Sequence, residues 1–273
     1  MLRSLYSGVS GMRGFQTKLD VIGNNIANVN TVGFKAGRVM FKDILSQTVS
    51  GVSAPTDGGP GGVNAKQIGL GMTVAAIDTV FTPGSAMTTN TVTDLRIDGD
   101  GFFALTPGDG DASIYLSRMG NFTIDSARNL VNADGMHVVN TDGESIVLDE
   151  EVVAFSIAQS GEIIAINAGG LAEPTGNFIA VVKVTNPSGL EKIGNNLFRS
   201  TPNSNVDVEL ELSLANDPAT GTGAIISGQL EMSNVELTNE LTEMIVAQRG
   251  FQANSRIITT SDEVLQEILN LKR

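Results

Sequence analysis

Apolar residues recur every seven positions at both ends of the chain. In the closing stretch Leu237, Met244, Phe251, Ile258 and Leu265 keep this spacing without a break, and Leu241, Ile245, Ile268 and Leu269 widen the line into a stripe. Glu240, Glu243, Arg249, Gln252, Arg256, Glu263 and Glu267 fall on other faces, and no proline interrupts the segment from Leu237 to Leu271. The pattern predicts one helix on the order of 50 Å long, at about 1.5 Å per residue. Ser233-Asn234-Val235-Glu236 just ahead has the Ser-x-x-Glu spacing of a capping box, in which the two side chains satisfy free backbone N–H groups. A stripe of that width needs cover from a partner.

The opening stretch, Leu2 to Val29, carries a matching stripe. Leu5, Met12, Leu19 and Ile26 repeat every seven residues, with Phe15, Ile22 and Val29 beside them. Asn28, Asn30 and Gly33 tolerate the left-handed backbone that closes a helix. Gly8, Gly11, Gly14 and Gly23 interrupt it, each costing about 1 kcal/mol relative to alanine in a helix interior. Such a helix is weak alone; its glycines either admit a close backbone or keep the segment soft until it is packed. The two ends are expected to pair as an antiparallel hairpin. Their stripes exceed a single two-stranded seam, so packing between molecules is expected as well.

Between the ends the period changes. Ser46 to Gly71 is rich in Gly, Ser and Pro and reads as a flexible or extended linker. From Met72 to Thr201 short strand-like runs follow one another, among them Thr73–Ile77, Gly101–Leu105, Asn121–Ile124, Met136–Val139, Val152–Ala158, Glu162–Ala168 and Asn177–Thr185. Asp-Gly pairs at Asp98, Asp109, Asp134 and Asp142 punctuate them as hairpin turns. Val206 to Leu214 alternates strictly between apolar and polar residues, and Ala224 to Met232 is its expected hairpin mate. The predicted fold class is therefore α+β: N- and C-terminal helices paired as a coiled coil, an extended linking region, and an all-β domain of barrel or sandwich type. The expected divisions are 1–32 with 234–273 for the helices, 33–71 with 202–233 for a linking region containing a β hairpin, and 72–201 for the outer all-β domain.

Charge and composition narrow the function. The 273-residue chain has a formal net charge of −13, which argues against a nucleic-acid partner. Met1 to Leu45 holds six basic and two acidic residues, whereas Ser46 to Leu230 holds seven basic and twenty-one acidic. The acidity thus marks a solvated middle, with ends engaged in packing. With no cysteine there is no disulfide, thiol nucleophile or thiolate metal site. No apolar run is long enough to span a membrane, and the first residues lack the apolar core of a cleavable signal.

Candidate chemistry is thin. His137 is the only histidine, and its apolar strand context fits packing better than a catalytic triad or a zinc site. Asp98-Gly99-Asp100-Gly101 and Asp109-Gly110-Asp111 lack the spacing of a calcium loop and fit turns. Paired carboxylates for glycoside chemistry are available, but the chain has no tryptophan and few aromatics to line a sugar cleft. The composition describes a building unit, without catalytic residues, metal or cofactor. The competing class is a leaderless β-rich binding or carbohydrate-active protein.

One block is more specific. Leu19-Asp20-Val21-Ile22-Gly23-Asn24-Asn25-Ile26-Ala27-Asn28-Val29-Asn30-Thr31-Val32-Gly33-Phe34-Lys35 resembles the N-terminal signature of bacterial flagellar rod and hook proteins. Asp98-Gly99-Asp100-Gly101-Phe102-Phe103, Ser233-Asn234-Val235-Glu236-Leu237, Met244-Ile245-Val246-Ala247-Gln248-Arg249 and Gln252-Ala253-Asn254-Ser255 echo the same family in the same order. The resemblance covers essentially the whole chain. It implies an axial protein of the flagellum, exported without a cleaved leader through the flagellar type III apparatus and stacked helically into a tube. The terminal helices would line that tube, the linking region would surround them, and the β domain would face outward.

The resemblance also assigns roles. Leu5, Met12, Phe15, Leu19, Ile22 and Ile26 with Leu237, Leu241, Met244, Phe251, Ile258 and Leu265 would form the assembly surface. Asn24, Asn25, Ala27, Asn28, Thr31, Gly33, Phe34 and Lys35 are the signature positions. Phe41-Lys42-Asp43-Ile44-Leu45 fits the pattern that members present to the export gate through Phe41 and Leu45; a short packed helical turn is the other reading. Val80-Phe81-Thr82-Pro83-Gly84, the Met244–Arg249 block and the final Asn270-Leu271-Lys272-Arg273 favour a short hook subunit, a flexible joint that transmits torque from rod to filament. A rigid distal-rod subunit is the alternative, because distal rods carry an insertion where Ser46–Gly71 lies. Expected partners are further copies of the chain, the distal rod, the hook cap, the hook–filament junction proteins and the export apparatus.

Overall fold

Each heptad stretch becomes a single helix in the computed structural model, which describes residues 2–55, 61–108, 113–149, 152–167, 172–205 and 210–271. Helix α1 runs Leu2–Ala27 and helix α2 runs Leu237–Leu271. The chain divides into two compact units, Met1–Ala27 with Gly37–Thr79 and Glu236–Arg273, and Asn28–Ala36 with Val80–Val235.

In the first unit α1 and α2 pack antiparallel. A methyl group placed on Gly11 would lie 2.8 Å from Asn254 Oδ1, and one on Gly250 would lie 2.6 Å from Phe15 Cζ. Gly11 thus leaves room for the Asn254 side chain, and Gly250 for the Phe15 ring. Lys18 Nζ donates to Glu243 at 2.5 Å, and Asn25 Nδ2 to Glu240 at 3.3 Å, in the same register. Gly23 differs, since a side chain there would meet nothing within 4 Å.

Four strands complete this unit: β1 (Gly37–Asp43), β2 (Ser46–Ser50), β3 (Lys66–Gly69) and β4 (Met72–Thr79). β1 pairs antiparallel with β4 through a bulge at Met40/Phe41, and β2 pairs with β3. Ile44 N–H to Gly71 O, Leu70 N–H to Leu45 O and a bridge between Ser53 and Val63 make the pairing nearly continuous. The expected linker at Ser46–Gly71 is thus largely a two-stranded ribbon. Val49, Val52, Val63 and Ile68 supply β-branched residues, yet all four are exposed. With neither face buried, the alternation that marks a strand is not imposed on the sequence, and the Gly, Ser and Pro content dominates its appearance.

In the second unit the strands begin with β5 (Ala86–Thr88), β6 (Leu95–Asp98), β7 (Phe102–Thr106) and β8 (Tyr115–Ser117). β7 lies inside an open sheet, with β8 on one side and His137–Val138 on the other, and Val181–Val182 also pairs with it. All five β7 residues are buried. Phe103 and Leu105 enter a cluster with Leu130, Val138, Ile163 and Ile225, while Phe102 and Ala104 enter a second with Leu116, Val182 and Phe198. Both faces of β7 are therefore covered, and the described strands close no barrel. Residues Val152–Ile157, Glu162–Asn167 and Ala172–Phe178 form a separate three-stranded sheet.

Three local expectations change. Asp98-Gly99 is a corner and not a hairpin turn: β6 pairs with Ala224–Ser227, and β7 leaves for the main sheet. Ala224–Met232 is not the mate of Val206–Leu214, because Gln229–Glu231 pairs with β5 and Leu212–Ser213 with Val181–Val182. Sequence neighbours lose here to distant strands that bury Ile225 and Leu230. Val206–Glu209 and Asp109–Asp111 lie outside the described residues. Ser233 caps no helix; its Oγ accepts from the Val235 N–H at 3.2 Å, and α2 starts only at Leu237.

Candidate assembly surface and signature clasp

The predicted assembly residues divide by helix. On α1, Ile22 is buried, and Leu5, Met12, Phe15, Leu19 and Ile26 are half-buried. On α2, Met244, Ile258 and Leu265 are half-buried, whereas Leu237, Leu241 and Phe251 are exposed. Ala247 is the only buried residue of α2 among those described. Ile245 stays 58 % and Leu269 67 % exposed. One neighbouring helix therefore covers only part of the α2 stripe. Sequence reasoning left Val246, Ile257 and Val264 out, although all three are exposed apolar residues on α2. They sit off the line through Leu237 and Leu265, although Ile257 and Val264 form a second seven-residue line with Leu271.

The signature residues act locally in each unit. In the first, Asn25 is 1 % exposed and its amide both accepts from the Gly37 N–H and donates to Gly37 O, each at 2.9 Å. It thereby completes the backbone pairing of the residue that opens β1. Asn24 and Ala27 are exposed on the same helix.

In the second unit, Asn28 and Thr31 form a turn, with Thr31 Oγ1 on Asn28 Oδ1 at 3.1 Å. Gly33 follows with φ +67°, and a Cβ there would meet the Arg118 carbonyl carbon at 2.8 Å, so only glycine fits. Phe34 is buried beneath the Lys192 ammonium, 5.2 Å from its ring centroid. Lys35 is fully enclosed and donates to Glu231 Oε1 at 2.6 Å and to Thr82 O at 2.9 Å.

Glu231 also accepts from the Gly84 N–H at 3.0 Å and from Arg118 Nη1 at 3.3 Å. Arg118 in turn donates to Gly99 O and stacks over Phe102. Burial pushes the Lys35 ammonium below its ordinary range, and the Glu231 carboxylate only partly offsets this. The Arg118 guanidinium is lowered for the same reason. Next to this cluster, Asn234 Oδ1 accepts from the Ala36 N–H at 2.8 Å, and Asn234 Nδ2 donates to Val80 O at 2.8 Å. Residues far apart in the chain are thus clasped together inside the β unit. Arg118 and Glu231 were missed in sequence; the one available signal was an acid at an apolar strand position between Leu230 and Met232.

This chemistry is structural. His137 is half-buried on a strand paired with Thr106. Among the described residues no group of three or more His, Cys, Asp or Glu is placed to hold a metal ion, and no helix is long and apolar enough to cross a membrane. Phe41 lies in β1 rather than in a helical turn, with its ring 6.0 Å from that of Phe15, while Leu45 is exposed.

Comparison with known proteins gives three matched segments in chain order. Residues 5–35 match the flagella basal body rod protein model, residues 96–165 the flagellar hook protein FlgE/F/G D1 domain, and residues 226–271 the flagellar basal body rod FlgEFG protein C-terminal model. The flagellar basal-body rod protein FlgG of Bacillus subtilis (strain 168) is 54 % identical over 274 residues, covering 100 % of both chains. That of Borreliella burgdorferi is 38 % identical over 276 residues, again covering 100 % of both. The flagellar hook protein FlgE of Borreliella burgdorferi is 30 % identical, with 100 % of both chains covered, but its alignment extends over 451 residues. With end-to-end likeness at these levels, the chain belongs to the family of flagellar rod and hook proteins, which are structural subunits and not enzymes.

Proposed function

We propose that the chain is a subunit of the flagellar distal rod, polymerising helically into a straight, stiff tube that carries motor torque outward. The observation that supports this most is collinearity: rod proteins align with it end to end and almost without gaps, whereas the hook relative needs an alignment far longer than the chain. The expectation of a hook subunit gives way to the distal-rod alternative on that ground. The paired Ser46–Gly71 segment favours the same reading, because a hydrogen-bonded ribbon resists bending more than a flexible linker does.

In this reading the outward face of α2 meets the helices of neighbouring copies and, with α1, forms the inner tube. The apolar residues left uncovered on α2 are the reason for assembly: each side chain fully buried contributes about 1.5–3 kcal/mol. Export through the type III apparatus fits Phe41 and Leu45 as a gate motif. Phe41 is half-covered in the folded unit, so a gate would read it in the unfolded chain. The remaining proposed partners are the hook and the rod segments at either end of the tube.

Electron microscopy of the purified chain driven to polymerise tests the reading. Straight, rigid tubes are expected. Curved or supercoiled tubes return the chain to the hook, and a stable monomer that never assembles counts against self-assembly into either tube.

A further inference from the structure

The α1–α2 register leaves one end of α2 without a facing helix. Gly11 opposes Asn254 and Phe15 opposes Gly250, so the first residue of α1, Leu2, falls opposite Glu263. The last eight residues of α2, Val264–Leu271, lie beyond it. Val264, Ile268 and Leu271 share one helical face by their spacing and are 44 %, 49 % and 87 % exposed. The only charged residue of this segment is Glu267.

Elsewhere in the same unit, α1 and the base of the ribbon enclose a groove of 390 Å³. Tyr6, Val9 and Arg13 line it from α1, Ile44 and Leu70 from the connections that lead into and out of the β2–β3 ribbon, and Met72 from the start of β4. Arg13 is its only charged lining residue. Among the described residues neither Arg13 nor Glu267 has an ion-pair partner. The groove is mostly apolar, with the hydroxyls of Ser10, Thr17 and Thr73 and the single charge of Arg13 in its lining; Val264–Leu271 is mostly apolar with the single charge of Glu267, and Lys272 and Arg273 follow it in the sequence.

Within one chain they cannot meet. Arg13 falls opposite Gln252 in the register, fifteen residues before Glu267, which is a separation of about 22 Å along the helix at 1.5 Å per residue. We propose that Val264–Leu271 of one copy docks into the α1–ribbon groove of a second copy, with Glu267 paired to Arg13. This rests on the reading that the chain polymerises, and it names a specific longitudinal contact within that polymer.

Charge reversal tests the pairing. Arg13→Glu and Glu267→Arg each place like charges together, and the concentration needed for assembly rises about tenfold or more for each. The double variant returns it towards that of the parent chain. Circular dichroism of each single variant, compared with the parent chain in the same unassembled state, shows whether the substitution itself changes helix content. The second test is independent of electrostatics: because the chain has no cysteine, Arg13→Cys with Glu267→Cys introduces the only two thiols. Two long side chains that pair hold their Cα atoms farther apart than the about 7 Å a disulfide allows, so a short bis-maleimide cross-linker applied to assembled material yields a ladder of covalent oligomers only if the segments meet between copies. Tubes that form normally from both single variants, or that give no ladder, overturn the contact and leave the rod reading standing. Failure of the unmodified chain to assemble under any condition overturns both.

Discussion

Glu231 receives the ammonium of Lys35, 196 residues earlier in the chain, at 2.6 Å, and both side chains are essentially shut off from solvent. Arg118 supplies a second cation to the same carboxylate. Removing the anion leaves two buried like charges, so Glu231→Gln is expected to destabilise the β unit by about 3–5 kcal/mol. Lys35→Met leaves Glu231 with Arg118 and the Gly84 N–H, and its cost is smaller, about 1–3 kcal/mol. Urea titration of both full-length variants checks the order; equal or reversed costs contradict an anion-centred clasp.

Two glycines of the signature region predict opposite outcomes. At Gly33 the left-handed backbone and the nearby Arg118–Met119 peptide exclude a side chain, so Gly33→Ala is expected to cost at least about 1–2 kcal/mol from the backbone alone. At Gly23 nothing stands within 4 Å, and Gly23→Ala is expected to strengthen α1 by about 1 kcal/mol. Thermal unfolding of the β unit, followed by its strand signal, should come earlier for Gly33→Ala, while the helical signal of the chain should rise for Gly23→Ala.

Phe251 is 36 % exposed on α2, while the β unit has its own two apolar clusters. Phe251→Asp is therefore expected to block tube formation and leave the β unit's denaturation midpoint unchanged. Normal tubes from this variant would remove Phe251 from the assembly surface.

Hydrogen exchange of a verified monomer should separate the two units. With one buried residue in α2 and interrupting glycines in α1, the helices have little to hold them without neighbours. Rapid exchange is expected at both ends and slow exchange in β7, followed by protection of the ends on polymerisation. Complete protection of α1 and α2 in the monomer contradicts folding on assembly.

The helices were legible in sequence because the heptad pattern is enforced wherever one face must be covered. β7 was legible because an unbroken run, Phe102-Phe103-Ala104-Leu105, has both faces buried. The β2–β3 ribbon escaped notice for the opposite reason, as its backbone hydrogen bonds require no particular side chains and neither face selects for apolar ones. The hairpin assigned to Ala224–Met232 failed because strand pairing there is decided by which distant residues complete a core. The signature was recognisable as a pattern from Asn24 to Lys35, but its purpose was not. The partners of Lys35 and Gly33 lie at Glu231 and Arg118, and no local spacing points to them.

The exposed face of α2 has a consequence for how substitutions would be tolerated. A screen that scores folding of the single chain should accept most changes along this helix, since few of its side chains support the monomer. A screen that scores swimming should reject many of the same changes. The gap between the two tolerance maps, position by position, would trace the contacts between copies, and residues permissive in one and forbidden in the other answer to the polymer alone.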